Sequence, residues 1–110
     1  MGLTKSENFT PQQNELATIA KAFGHPARIA IIQHLLKVDS CICGDIVNEL
    51  PLAQPTISRH LKELKAVGII KGTIEGTSIN YCIDGVKWRA IQVELNELFD
   101  AYPLNNNCKC

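Results

Sequence analysis

The sequence predicts a mainly α-helical winged helix-turn-helix with a small β-hairpin wing, about five helices and two strands in all. Three observations carry that expectation. Apolar residues recur at helical spacing as far as residue 67. Two short runs of alternating and β-branched residues then flank a glycine-containing turn. Helical spacing returns from residue 86. A period near 3.6 marks a helix with one buried face and a period of 2 marks a half-buried strand, so the order of periods is an order of elements.

Each element has its own signals. Residues 1–9 are polar and read as a mobile lead. Thr10 then caps a helix that Pro11 opens, and Gln13 completes a Thr-x-x-Gln capping box. Leu16, Ile19, Ala20 and Phe23 follow at helical spacing, and Gly24 ends the segment. His25-Pro26 restarts the chain into a second helix carrying Ile29, Ile32, Leu35 and Leu36, which fades near residues 38 and 39. Ser40 caps a third, short helix over residues 41–50, and Pro51 stops it. Gln54-Pro55 opens a fourth that runs to Val67 with Gly68 as its C-terminal cap, and Ile57, Leu61 and Leu64 form its narrow buried stripe. Residues 69–74 and 78–83 make the hairpin, with Glu75-Gly76-Thr77 as its turn and Asp84-Gly85 at its close. The last helix covers residues 86–102 and ends at Pro103, and the Asn-rich residues 104–110 read as a second mobile end. With no internal repeat and no compositional boundary, residues 1–110 are expected to form a single domain.

Composition narrows the function. Of 110 residues, 45% are hydrophobic and 20% charged, which suits a globular chain with a modest core. A core this small gains from burying further apolar surface between two copies. The formal net charge is zero, so any charge that attracts nucleic acid must be local. No run approaches the roughly twenty apolar residues of a membrane span, and the polar N-terminus lacks a signal-peptide core. A cytoplasmic protein with no membrane partner is expected.

Local charge is found on the fourth helix and its exit. Between residues 54 and 72, Arg59, Lys62, Lys65 and Lys71 stand against Glu63 alone, a local +3 in a neutral chain. With Ile57, Leu61 and Leu64 inward, helical geometry points Arg59, Lys62, Glu63 and Ala66 outward, with Thr56 and His60 on one flank and Ser58 on the other. Gln54, Thr56, Ser58 and Arg59 carry groups that suit base edges, and arginine is the usual reader of guanine. Lys62, Lys65 and Lys71 suit phosphates; His60 is counted with the DNA-facing set. A solvated amphipathic face is the commoner explanation of one charged helix. Helix, turn, helix and wing in this order outweigh it.

Trp88, Ile91, Leu95, Leu98 and Tyr102 follow a 3-4-3-4 spacing along the last helix, a stripe suited to packing on another helix. Val93 and Phe99 add apolar surface off that stripe. A homodimer seam made by this helix, with Leu16, Ile19 and Phe23 of the first, is expected. A symmetric dimer presents two reading helices to palindromic double-stranded DNA.

The segment from Gln54 to Leu64, Gln-Pro-Thr-Ile-Ser-Arg-His-Leu-Lys-Glu-Leu, resembles the recognition helix of the ArsR/SmtB family of metal-responsive repressors. Phe23-Gly24-His25-Pro26-Ala27-Arg28 before it and Gly68-Ile69-Ile70 after it match the same pattern, and the similarity runs from about Leu16 to Phe99. The resemblance implies a homodimer that blocks transcription until an inducer binds. Composition and spacing by themselves reach only a winged-helix DNA binder.

The five cysteines point to the inducer. Cys41-Ile42-Cys43 stands at the start of the third helix, where free N–H groups and the helix dipole favour thiolates. Residues two apart on a helix point about 200° away from each other, so one ion gripping both sulfurs must distort that turn. Distortion there would shift the recognition helix. Ser40-Cys41-Ile42-Cys43-Gly44-Asp45 resembles the arsenite- and cadmium-type sites of the family. The arsenite form often adds a cysteine three residues on, where this chain has Ile46, which leaves Cys108 and Cys110 to complete the ligand set. Three sulfurs suit trivalent arsenic or antimony and four suit a tetrahedral soft ion. Arsenite, or another thiophilic ion, is therefore the expected inducer, with no organic cofactor.

Cys82, within a strand, reads as a small hydrophobe. The zinc site that some relatives carry on the last helix is not supported, since residues 84–102 hold no histidine. A second reading keeps the fold and makes the cysteines a thiol-redox or reactive-sulfur sensor. A small thiol reductase is weaker, because no Cys-x-x-Cys lies in a βαβ setting. No enzyme activity is expected.

Overall fold

The computed structural model describes residues 6–37, 50–75 and 78–103. Four α-helices and a two-stranded antiparallel hairpin appear among them: α1 (Pro11–Phe23), α2 (Pro26–Lys37), α3 (Gln54–Val67), β1 (Ile70–Glu75), β2 (Ser78–Ile83) and α4 (Gly85–Asp100). The helix expected over residues 41–50 lies outside the described residues, apart from Leu50, which sits in a bend. Within the lead expected to be mobile, Ser6–Asn8 forms a single 3-10 turn. No helix among the described residues is long and apolar enough to cross a membrane.

The helix ends form as the local chemistry dictates. The Thr10 hydroxyl accepts from the Gln13 N–H at 3.0 Å, and the Gln13 side chain accepts from the Thr10 N–H at 3.0 Å, which completes the capping box of α1. Pro11 occupies the first position, where a missing N–H costs nothing. At the end of α3, Gly68 takes a left-handed conformation with φ 97°, and its N–H reaches the carbonyls of Leu64 and Lys65. The next N–H, from Ile69, also returns to Leu64. Ile69 therefore belongs to the cap, and its carbonyl is taken by the Asp84 N–H at 2.9 Å. That is why β1 starts one residue later than the alternation predicts. Asp84 then caps α4, its carboxylate accepting from the Val86 and Lys87 N–H groups. The expected last helix, 86–102, is shorter at its C-terminal end, closing at Asp100 with Ala101 as cap.

The core lies between α1, α2, α3 and the base of the hairpin. Ile19 and Ala22 of α1 meet Ile31, Ile32 and Leu35 of α2, Ile57, Leu61 and Leu64 of α3, and Ile69, Ile70, Tyr81 and Ile91. The strands pair in the register Ile70–Ile83, Lys71–Cys82 and Gly72–Tyr81, which sends Ile70 and Tyr81 inward and leaves Lys71 exposed. The core thus holds α3 by one face and the wing by its root.

Two residues expected at a dimer seam belong to this core. Ile19 is 1% exposed and Ile91 is 3% exposed. Trp88 and Leu95 are half-buried against the same cluster, and Phe23 meets Trp88 edge-on with ring centroids 6.1 Å apart. The helical stripe of α4 is therefore divided. Its first half attaches to its own chain, while Leu98 (55% exposed) and Tyr102 (59%) project beyond it with Phe99. A single-helix periodicity cannot tell these two destinations apart, because both demand an apolar face.

Candidate nucleic-acid interface

Helix α3 is anchored by the face that carries Ile57, His60, Leu61 and Leu64. The opposite face is open: Gln54, Arg59, Lys62 and Ala66 are exposed, and Thr56 and Ser58 are half-buried on the flanks. No side-chain cap is present at its N-terminus, where Ala53 precedes Gln54 and Pro55. Free N–H groups at a helix start, with the positive end of the dipole, suit a phosphate oxygen.

His60 is placed differently from the sequence expectation. It is 5% exposed, turned into the protein rather than towards a DNA-facing flank. Its Nδ1 accepts from Arg28 Nε of α2 at 3.2 Å, and its ring lies against His25 with centroids 4.5 Å apart. Burial holds its pKa below the ordinary imidazole value, and the neighbouring His25, Arg28 and Arg59 act in the same direction against Glu63. The spacing 57, 60, 61, 64 is one helical stripe, so the signal was present. A histidine in an i, i+3, i+4, i+7 apolar pattern belongs to the inner face.

Lys65 also has a different partner. Its ammonium donates to the Gly72 carbonyl, linking the last turn of α3 to β1. Glu63, on the other flank, pairs with Arg28. The cations left facing outward from this region, among the described residues, are Arg59, Lys62 and Lys71, and the one carboxylate of α3 is neutralised from behind. The Arg28–His60–Glu63 assembly was missed in the sequence, since residues 32 and more apart share no local pattern.

Cys41, Cys43, Cys108 and Cys110 lie outside the described residues. Cys82 is half-buried on β2 and disulfide-bonded, which corrects its reading as a plain small hydrophobe. No cluster of three His, Cys, Asp or Glu side chains with metal-binding geometry occurs among the described residues.

Comparison with known proteins agrees with this architecture. The family model of the bacterial regulatory protein, arsR family, matches residues 25–71, from His25 through α3 into the wing. An uncharacterised helix-turn-helix transcriptional regulator of Methanocaldococcus jannaschii is 47% identical over 70 residues, covering 62% of this chain and 78% of that one. The crystal structure of an ArsR family transcriptional regulator superposes with a TM-score of 0.68 at 19% identity, over 86% of this chain and 96% of the other, a likeness of fold. The NMR structure of the cadmium metal-sensor CmtR from Mycobacterium tuberculosis gives a TM-score of 0.51 at 28% identity, over 86% of this chain and 95% of that one.

Proposed function

The chain belongs to the arsR family of bacterial regulatory proteins, DNA-binding transcriptional regulators rather than enzymes, and on that premise we propose that it is a homodimeric repressor, released from a palindromic operator when a thiophilic metal or metalloid binds its cysteine thiolates. The observation that carries this reading is the outer face of α3. Arg59 and Lys62 are exposed one turn apart, and Glu63, which would repel phosphate, is paired with Arg28. Gln54, Thr56, Ser58 and Arg59 read base edges in the major groove, while Lys62 and Lys71 hold the backbone on either side.

Dimerisation brings two such faces to one duplex. Phe23, Trp88, Ile91, Leu95 and Phe99 line an apolar groove between α1 and α4. Leu98 and Tyr102 project beside it. A second copy of α4 laid on this face buries them. A two-fold axis then sets the recognition helices about one turn of DNA apart.

The donor set suits a soft inducer. Cys41, Cys43, Cys108 and Cys110 form two Cys-x-Cys pairs, and thiolate is the ligand that thiophilic ions select. Three of these sulfurs match the valence of arsenite, and the likeness to a cadmium sensor supports soft-ion chemistry in general. The ion supplies strong bonds to sulfur. The chain's own part is to convert a distorted turn before Pro51 into a displaced α3.

The test is fluorescence anisotropy of a duplex from the promoter of the protein's own gene. Reduced protein is titrated first, then arsenite or cadmium, with Cys41→Ser/Cys43→Ser alongside. Tight, salt-sensitive binding that arsenite releases in the wild type but not in the double variant is the expected result. Absence of binding at modest salt would sink the reading. The disulfide at Cys82 favours one second reading, a thiol-redox repressor. That reading requires release by a polysulfide and recovery with reductant.

A further inference from the structure

Arg28 of α2 stands where three helices meet. Its guanidinium donates from Nε to His60 Nδ1 at 3.2 Å and from Nη1 to the Lys21 carbonyl of α1 at 3.0 Å, and it pairs through Nη2 with Glu63. Only 12% of the side chain is exposed. The Lys21 carbonyl, in the last turn of α1, also accepts from the Gly24 N–H at 3.1 Å. His60 and Glu63 lie three residues apart on α3, neighbours across one turn. Ile57, Leu61 and Leu64 seat α3 in the core, and a single polar contact behind them would add little control over its fine rotation. Two contacts one turn apart, made by one rigid planar fork, hold its rotation as well as its distance.

We propose that Arg28 is a positioning residue for the DNA-facing helix, holding the rotation of α3 through an uncharged His60 and releasing it when His60 takes up a proton. The inference rests on the reading of α3 as the recognition helix. Rotation is the variable that matters, because it aims Arg59 and Lys62.

The proton state follows from the hydrogen bonds. His60 Nδ1 accepts, so its proton is on Nε2. His25 Nδ1 likewise accepts, from the Ala27 N–H at 3.0 Å, capping the start of α2. The groups acting on His60 are His25 and Arg28 from the α2 side and Arg59 and Glu63 from α3 itself. From α1, Lys21 shares the groove lined by Arg28 and Glu63, and Lys71 of β1 is exposed. Three of the four acting groups oppose a charge on His60, and Glu63 is already engaged by Arg28.

A proton from solvent, added at Nδ1, turns the acceptor into a donor. The bond to Arg28 Nε is lost and two cations face each other in a buried site. Of the two contacts that Arg28 makes with α3, only the one to Glu63 then remains. The sign of the effect is distinctive. Acidification ordinarily strengthens DNA binding by adding positive charge; here it weakens binding.

The experiment is anisotropy of the same promoter duplex at constant salt between pH 7.5 and 5.5. Three proteins are compared: wild type, His60→Asn, whose amide oxygen takes the place of Nδ1 without titrating, and Arg28→Lys, which lacks the fork. Wild-type affinity is expected to fall as pH drops below the ordinary imidazole range, by up to about tenfold per unit for one coupled proton. His60→Asn is expected to stay level or rise. Arg28→Lys is expected to bind several-fold more weakly at pH 7.5 and to lose the acid-dependent fall. Nitrogen NMR of the free wild type is expected to show Nε2 protonated and Nδ1 bare at pH 7.5.

Wild-type affinity that holds or rises on acidification, or a fall retained in His60→Asn, overturns the proposal. A proton found on Nδ1 at pH 7.5 overturns it without recourse to any variant. A wild type that binds no duplex at pH 7.5 overturns the recognition-helix reading and this inference with it. Binding at pH 7.5 without the acid-dependent fall removes only the inference.

Discussion

Lys65 Nζ donates to the carbonyl oxygen of Gly72, which ties the last turn of α3 to the first strand of the wing. Gly72 has φ 132°, a conformation that side chains other than glycine's rarely adopt, and it sits opposite Tyr81 in the hairpin register. A cation that the sequence assigns to phosphate therefore serves as a strut. Lys62, one turn earlier, is exposed and outward.

The two lysines should separate in a salt titration. Lys62→Ala is expected to lower the slope of log affinity against log salt by about one, the signature of a lost phosphate contact. Lys65→Met is expected to leave the slope unchanged while speeding amide exchange in β1. An equal drop in slope for both would place Lys65 on the backbone of DNA instead.

Arg59 is exposed on the middle of the outer face. Arg59→Ala should cost about 1–3 kcal/mol of specific binding and much less against unrelated duplex, since a base contact discriminates and a phosphate contact does not. Unchanged operator affinity in the anisotropy assay would remove Arg59 from the base-reading set.

The divided stripe of α4 predicts two different phenotypes from one helix. Leu98→Glu should leave the single chain folded and shift sedimentation from dimer to monomer, because Leu98 is 55% exposed in one copy. Ile91→Ala should instead lower the stability of each chain by about 2–4 kcal/mol through a core cavity. Thermal melts and sedimentation velocity on both variants check the division.

Glu94 of α4 faces Glu15 of α1. Its Oε2 is buried with no conventional donor, and a carboxyl–carboxyl hydrogen bond with Glu15, which needs a shared proton, raises its pKa; burial adds to the rise. A carboxyl with a raised folded pKa binds more protons folded than unfolded. Its favourable contribution is therefore present at low pH and lost as pH rises through the raised value. Glu94→Gln, which keeps a donor without charge, should raise Tm relative to wild type at neutral pH, with the gap closing towards pH 4. A gap independent of pH would refute the shared proton.

Most of the fold is legible residue by residue. Thr10, Pro11 and Gln13 announce α1, Gly68 closes α3, and the change from period 3.6 to period 2 marks the wing. These signals are local, because a cap or a periodic face is satisfied by atoms a few residues away. The exposure of Arg59, Lys62 and Lys71 follows from the same rule. His60 was legible too, through its place in the buried stripe, but its polarity favoured the outer face.

By itself, then, the sequence determined the order of the described helices and hairpin, the caps at Thr10 and Gly68, and the face of α3 that stays open. The tertiary structure alone decided what stands behind that face. Arg28 meets His60 across 32 residues and Glu63 across 35, His25 closes on His60, and Lys65 reaches Gly72. It also decided that Ile91 serves its own core while Leu98 is left over. Such pairings depend on how helices cross, which is set by the packing of the whole core, and no window of neighbouring residues carries that information.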